Sequence, residues 1–226
     1  MFKIKGGRRL EGVVDVGGSK NTALALLSAV VLAEGKTVFT NVPILSDTKI
    51  KANLLERFGA KVAWDGNRLE IDCTDIYPAE ADEETVRAIR TSFYLLGPLM
   101  VRTKRIELPA PGGCKIGARP VDFHIKGLLA LGARLELNGG SYLAECDQLK
   151  GTEIYLDFPS AGATQHLMST AVLADGVTTI QNAAIEPEVT ALADFLNRMG
   201  ARIEGAGTST ITIIGVSKLN PVEFRV

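Results

Sequence analysis

A five-residue signature that returns twice constrains this chain more than any other feature. Phe58-Gly59-Ala60-Lys61-Val62 recurs as Leu131-Gly132-Ala133-Arg134-Leu135 and as Met199-Gly200-Ala201-Arg202-Ile203, at intervals of 73 and 68 residues. Each copy closes a helix-like run, at 54–57, 128–130 and 195–198. Glycine at such a point suits a left-handed helix cap, and the apolar residue just beyond it opens a strand. A second landmark agrees. Val31-Leu32-Ala33-Glu34-Gly35 returns as Val172-Leu173-Ala174-Asp175-Gly176, an offset of 141 that equals the two intervals together. Both copies lead into strand-like residues that end in asparagine, at Asn41 and Asn182. Self-similarity at a fixed spacing marks a repeat architecture.

Each unit spells strand, helix, strand, helix and a closing pair of strands. The first helix of unit one is expected at 22–33; it is apolar nearly all round and so belongs in the interior. A second, amphipathic helix is expected at 47–58. Strands alternating with helices favour an α/β fold. Three such units, at about 10–72, 85–147 and 152–216, favour one pseudo-threefold domain. A doubly wound sheet is the alternative, but it gives no reason for the period.

Composition narrows the function classes. The 226 residues hold 25 Lys and Arg against 26 Asp and Glu, so no cationic excess is available to neutralise nucleic-acid phosphates. The longest apolar stretch, 23–33, falls well short of the roughly 20 residues of a membrane span. The polar start MFKIKGGRRLEG lacks the apolar region of a secretory signal. Cys73, Cys114 and Cys146 are odd in number, widely spaced and form no CxxC pair, and the only histidines are His124 and His166. Neither a disulfide framework nor a metal site is expected. The expectation is a cytoplasmic, metal-free protein without a nucleic-acid or membrane partner. Cys73 and Cys146 lie in alternating, strand-like stretches and are expected to be inert core thiols.

Superposing the units aligns the starts of their first helices. Unit one has Gly17-Gly18-Ser19-Lys20-Asn21-Thr22, unit two has Arg90 opposite Asn21, and unit three has Ser160-Ala161-Gly162-Ala163-Thr164. Helix starts carry unpaired N–H groups and partial positive charge, which attract anions and repel Lys20 and Arg90. Two basic residues at equivalent starts therefore point to a shared anionic ligand. The other reading makes Ser19 and Ser160 simple N-caps and leaves Lys20 and Arg90 as solvated surface charges. GGSK does not match a phosphate-binding P-loop.

The stronger constellation runs from Pro111 to Asp122, as Pro111-Gly112-Gly113-Cys114-Lys115-Ile116-Gly117-Ala118-Arg119-Pro120-Val121-Asp122. Three glycines around one cysteine suggest a loop that closes over a ligand. Lys115 and Arg119 favour the Cys114 thiolate. Pro120 suits the first turn of a helix, and Asp122 complements its dipole. An incidental loop cysteine is the plainer alternative.

GGSKNTAL at 17–24 followed by PGGCKIGARPVD at 111–122 resembles the UDP-N-acetylglucosamine 1-carboxyvinyltransferase family of enolpyruvyl transferases. The resemblance runs along essentially the whole chain, including the Arg90 segment and Asn182-Ala183-Ala184-Ile185-Glu186-Pro187-Glu188. It implies an inside-out α/β barrel of three βαβαββ units, one of two such domains with the active site between them. It implies transfer of the enolpyruvyl group of phosphoenolpyruvate to the 3′-hydroxyl of UDP-N-acetylglucosamine, the opening step of peptidoglycan precursor synthesis, with no cofactor. Lys20 and Arg119 are then the cations that hold phosphate and carboxylate, with Asn21 and Arg90 completing the ligand site. Cys114 is the proton donor and the target of fosfomycin. Arg119, Pro120, Val121, Asp122 and Phe123 match the nucleotide-sugar stretch, and Ser160 to Gly162 another part of it. Phe158 and Pro159 depart from the family pattern there.

The resemblance also places the family's catalytic Asp and a further phosphate-binding Arg in a carboxyl-terminal domain that this chain does not contain. Residues 1–9 are expected to be a strand associated with that domain, and 10–226 the domain of three repeats. The partner domain is expected in cis or as a second chain, and negligible turnover is expected without it. Two other readings stand: another enolpyruvyl transferase, such as the shikimate-pathway enzyme, which the cysteine loop speaks against, and a non-catalytic ligand-binding domain.

Overall fold

A computed structural model describes residues 1–111 and 121–226. Unit one contains α1 (Lys20–Ala29), a 3-10 turn (Val30–Leu32), β1 (Lys36–Thr40), α2 (Ser46–Arg57), β2 (Lys61–Asp65) and β3 (Arg68–Asp72). Unit two contains α3 (Glu83–Ala88), a 3-10 segment (Arg90–Leu95), α4 (Leu96–Thr103), β4 (Arg105–Pro109), α5 (Asp122–Ala130), β5 (Arg134–Asn138) and β6 (Ser141–Glu145). Unit three contains β7 (Glu153–Tyr155), α6 (Ala161–Ala171), β8 (Val177–Gln181), α7 (Pro187–Arg198), β9 (Arg202–Glu204) and β10 (Thr210–Ile214). A last strand, β11 (Glu223–Arg225), follows.

The repeated glycines do what their chemistry suggests. Gly59, Gly132 and Gly200 sit at φ of 96°, 92° and 106°. The residues after them close one hydrogen-bond pattern three times: Ala60 N–H to Leu55 O, Ala133 N–H to Leu128 O and Ala201 N–H to Leu196 O, at 3.1, 3.0 and 3.0 Å. That is the left-handed cap that satisfies the last carbonyls of a helix and turns the chain into a strand.

Helices lie inside and sheets outside. All residues of α1 from Thr22 to Ala29 are buried, and so are those of α6 from Ala163 to Ala171. α1 is apolar nearly all round and so must be surrounded by protein, whereas α6 is buried together with five polar residues, Thr164, Gln165, His166, Ser169 and Thr170. The two pack with α4 and the 3-10 segment at the centre, flanked by α2, α5 and α7. The strands alternate between buried and exposed residues, so each sheet turns one face to solvent. No helix among the described residues is long and apolar enough to cross a membrane.

Among the described residues the complete strand–helix–strand–helix–hairpin order appears only in unit three, whose sheet runs β7-β8-β10-β9. The expected leading strand of unit one is absent, since residues 1–19 carry neither helix nor strand. Its place is taken by β11, giving the order β11-β1-β3-β2. β11 pairs parallel with β1 in the register Val38 to Glu223, as β7 pairs parallel with β8 in the register Thr179 to Glu153. The offset of 141 thus relates both pairings. Asn41 and Asn182 lock them: each takes a left-handed φ, 59° and 54°, and donates its side-chain amide to Val226 O at 3.0 Å and to Leu156 O at 2.8 Å. Among its described residues unit two has three strands, β4-β6-β5, and places α3 and the 3-10 segment before α4.

β11 is three residues long, so its docking depends on what Phe224 buries. The Phe224 ring meets Phe195 edge-on at 5.3 Å, beneath the Arg198 guanidinium at 5.2 Å. Phe195 in turn meets Phe39 of β1 at 5.3 Å, tying units one and three together. Phe224→Ala is expected to cost about 3 kcal/mol in urea unfolding. A loss below about 1 kcal/mol would mean that β11 is not docked in solution.

Candidate functional site

The starts of five helices and of the 3-10 segment line one cavity of about 550 Å³. α1 contributes Lys20 and Asn21, α2 Asp47, the 3-10 segment Arg90 and Thr91, α5 Asp122 to His124, α6 Ala161 and Gly162, and α7 Glu188. Each start presents unpaired N–H groups and about half a positive charge. Local sequence sets these ends. Ser19 and Ser160, equivalent by the 141 offset, each accept the backbone N–H three residues on at 3.3 Å. The Thr48 hydroxyl accepts from Leu45 N–H and donates to Pro43 O, which fixes the start of α2 and the place of Asp47. Pro187 opens α7, where a missing N–H costs nothing.

Polar side chains at the rim pair from one helix start to the next. Lys20 Nζ lies 3.0 Å from Asp47 Oδ2, and Asn21 Nδ2 donates to Glu188 Oε1 at 3.3 Å. Asp47 and Glu188 occupy equivalent first turns, where the helix dipole favours an acid. Lys20 and Asp47 are both substantially solvent-exposed, so their pairing orients Lys20 more than it stabilises the fold. A ligand anion can replace Asp47 at little cost.

The wall beneath the rim is buried and polar. The Tyr94 ring stacks on His124 at 5.5 Å and on His166 at 6.1 Å. Gly162 makes room for the Tyr94 hydroxyl, which a Cβ would meet at 2.2 Å. Burial, aided by the Arg90 charge, pushes the His124 imidazole down to about 3, so it is neutral at physiological pH. Lys51 of α2 is fully buried and donates to Thr91 O at 2.5 Å, which ties α2 to the segment that carries Arg90. Burial holds its ammonium well below the usual lysine range. The Thr91 hydroxyl and Gln165 Nε2 are buried at the cavity without a hydrogen-bond partner among the described residues, which leaves both to a ligand or a water.

The structure brings together Lys20, Asn21, Arg90, Asp122, Phe123, Ser160 and Gly162 of the residues expected from sequence. Val121 precedes α5, half-buried, and does not line the cavity. Cys114, Arg119 and Pro120, with Lys115 and the glycines of their loop, lie outside the described residues. Cys73 and Cys146 are buried, and burial pushes the Cys73 thiol up to about 12, which makes it a poor nucleophile. Among the described residues no group of three or more His, Cys, Asp or Glu could hold a metal. Sequence reasoning missed Asp47, Thr91, Tyr94, His124, Gln165 and Glu188 as cavity residues. The offset of 141 equates Asp47 with Glu188, and two acids at equivalent helix starts were the signal available for that pair.

Comparison with known proteins follows the same lines. The sequence model of the family described as EPSP synthase (3-phosphoshikimate 1-carboxyvinyltransferase) matches residues 4–226. A protein of Desulfatibacillum aliphaticivorans named UDP-N-acetylglucosamine 1-carboxyvinyltransferase is 48% identical over 99% of this chain and 54% of its own length. One from Carboxydothermus hydrogenoformans, named UDP-N-acetylglucosamine 1-carboxyvinyltransferase 2, is 48% identical over 100% of this chain and 54% of its own length. The chain therefore spans about half the length of the curated relatives it matches. Among solved structures, the enolpyruvyl transferase NikO from Streptomyces tendae superposes with a TM-score of 0.83 at 26% identity, covering 98% of this chain and 53% of its own. EPSP synthase from Acinetobacter baumannii shares the fold, with a TM-score of 0.78 at 20% identity over 95% of this chain and 50% of its own.

Lys51 gives the site a measurable pH signature. Its folded pKa is lowered, so between that value and the unfolded value of about 10.4 the unfolded chain binds more protons. Stability should therefore rise with pH across that window, and the destabilisation is complete below the folded pKa. Lys51→Met is expected to abolish this slope and to raise stability at pH 7 by about 1 kcal/mol or more. Urea unfolding at a series of pH values checks both, and an unchanged slope would mean that Lys51 is not buried as an ammonium-bearing side chain.

Proposed function

The chain belongs to the EPSP synthase family, and we propose on that premise that it forms half of an enolpyruvyl transferase acting on UDP-N-acetylglucosamine. The observation that carries the substrate is the naming of its relatives: those at 48% identity across essentially the whole chain bear that sugar nucleotide in their names. The cavity supports the reading. Phosphoenolpyruvate and a nucleotide sugar are polyanions, and helix starts with Lys20 and Arg90 at one rim suit both. Two orphaned donors, on Thr91 and Gln165, suit the oxygens of a sugar or of its acetamide.

In this reaction a proton is added to the methylene carbon of phosphoenolpyruvate while the 3′-hydroxyl oxygen bonds to its central carbon and gives its own proton to a base. The tetrahedral intermediate then loses phosphate, and a methyl proton leaves to restore the enol double bond. The chemistry needs fixed cations at the phosphate and carboxylate, an acid and a base. Lys20 and Arg119 hold the anionic groups, Asn21 and Arg90 complete the ligand shell, and Cys114 supplies the proton and can bond covalently to the enol carbon. Arg119 to Phe123, with Ser160 and Gly162, receive the nucleotide sugar. The base and a further cation come from a second domain, in cis or as another chain, beside which residues 1–9 pack. The product enters peptidoglycan precursor synthesis in the cytoplasm, and fosfomycin alkylates Cys114.

A second reading is favoured by the family's own description, which carries 3-phosphoshikimate. Both are separated by measuring phosphate release from phosphoenolpyruvate with this chain, with the carboxyl-terminal half of a relative, and with the two mixed. Release is expected only in the mixture and only with UDP-N-acetylglucosamine. Lys20→Ala should lower it by about 100-fold or more, as expected when a charge aimed at the reacting anion is removed. Turnover of shikimate 3-phosphate instead would establish the second reading. No turnover with either acceptor, and no fosfomycin adduct on Cys114 in the mixture, would leave only ligand binding.

A further inference from the structure

Two buried histidines on neighbouring helices meet behind the cavity. Gly97 lies where the 3-10 segment gives way to α4, just before Pro98, and its N–H donates to His166 Nε2 at 2.9 Å. His166 Nδ1 lies 2.9 Å from His124 Nδ1. An imidazole nitrogen that accepts a hydrogen bond carries no proton, so His166 holds its single proton on Nδ1. That proton points to His124 Nδ1, which is then the acceptor, and a neutral His124 carries its own proton on Nε2.

The other assignments fail on proton count. If His124 donated, His166 would have two accepting nitrogens and no proton, an imidazolate. Protonating His166 would set an Nε2–H against the Gly97 N–H. Protonating His124 would set two Nδ1–H groups against each other. The surroundings act in the same direction. His124 is 3% exposed and His166 1%. Burial opposes protonation of either ring, and the Arg90 charge adds to it at His124. Tyr94 covers both rings and Phe93 meets both edge-on, so neither can turn without repacking the wall. With Nδ1 occupied, Nε2 is the remaining polar atom of His124, on a residue that lines the cavity.

We propose that His166 is a positioning residue that holds His124 as a neutral Nε2–H hydrogen-bond donor in the cavity wall beside Arg90. The ligand atom it serves is an acceptor oxygen of phosphate, carboxylate or carbonyl. The donor is uncharged and keeps its proton across the physiological range, so His124 does not shuttle protons while the pair is intact. This rests on the reading of the cavity as the ligand site, whereas the tautomers do not depend on which ligand binds.

The chain has two histidines, so 15N NMR of histidine-labelled protein resolves each ring. His124 is expected as the Nε2–H tautomer and His166 as the Nδ1–H tautomer, neither titrating between about pH 5 and about pH 8. Two rings in one tautomer, averaged tautomers, or titration within that window overturns the proposal. His166→Asn offers an amide N–H where Nδ1–H was and should keep His124 in its Nε2–H form; it also assigns the signals. His166→Gln keeps an acceptor for Gly97 but loses the donor to His124, and should release His124 to a tautomer mixture. An Nε2–H His124 that persists in His166→Gln overturns the positioning role. Should that variant not fold, the native and His166→Asn spectra decide. UDP-N-acetylglucosamine, with the second domain supplied, is expected to shift the His124 Nε2 signal. Expected tautomers with no response to it would count against the functional reading and leave the histidine pair in place.

Discussion

The structure depends on two helices, α1 and α6, that turn no face to water: α1 is apolar nearly all round, and most polar side chains of α6 bond inside the protein. Because their residues are buried on every side, they must lie at the centre, and sheets that would otherwise form a core are pushed outward. Central helices related by a repeat run the same way, so their starts gather at one end. The flanking helices begin there too, since each follows a strand that left from the opposite end. The anion-attracting end of the molecule is thus a consequence of burial rather than a separate device. Helix starts buried without partners would be costly, and the molecule instead leaves them around an open cavity.

Much of this was legible in the sequence because it depends on residue types that backbone geometry demands. A left-handed cap at Gly59, Gly132 and Gly200 tolerates almost nothing but glycine, so the repeat survives where side-chain identity drifts. Asn41 and Asn182 are readable for a similar reason, as residues that accept positive φ and can also donate an amide. β11 was not legible. Three residues, Glu223 to Arg225, carry no period of their own, and their place is decided by what the closed sheet of unit one lacks. Lys51 was illegible because it sits in an amphipathic helix as any surface lysine does. Only the carbonyl of Thr91, forty positions away, explains its burial. The histidine contact joins side chains from α5 and α6, and no spacing rule relates them.

The buried polar wall and the exposed rim do different work. Asp47 and Glu188 hold Lys20 and Asn21 loosely, through contacts near water that a ligand can displace. Lys51 and the two histidines are sealed, and each bond there is held because the alternative is an unpaired polar group away from water. Such a wall fixes direction: it sets where the Arg90 segment lies and which nitrogen of His124 carries the proton. Mobile charges in front of fixed dipoles are what a site needs when it must admit an anion and then orient it.

Charge counting gives the glycine-rich stretch its role in the proposed reaction. Among the described residues that line the cavity, the cations are Lys20 and Arg90 and the carboxylates are Asp47, Asp122 and Glu188, a formal balance of −1. Side-chain charge alone would therefore repel a phosphorylated substrate. Six segment starts, each worth about half a positive charge at close range, reverse the sign locally, but that effect fades within a turn. The glycine-rich stretch just before Asp122 carries Arg119 and Lys115, three and seven residues upstream of it. With Arg119 at the anionic groups, as the proposed reaction has it, the balance rises to zero. In the proposed reaction the thiol that donates the proton then rides on the same segment as the charge that makes anion binding favourable, so protonation and substrate capture are coupled by covalent attachment.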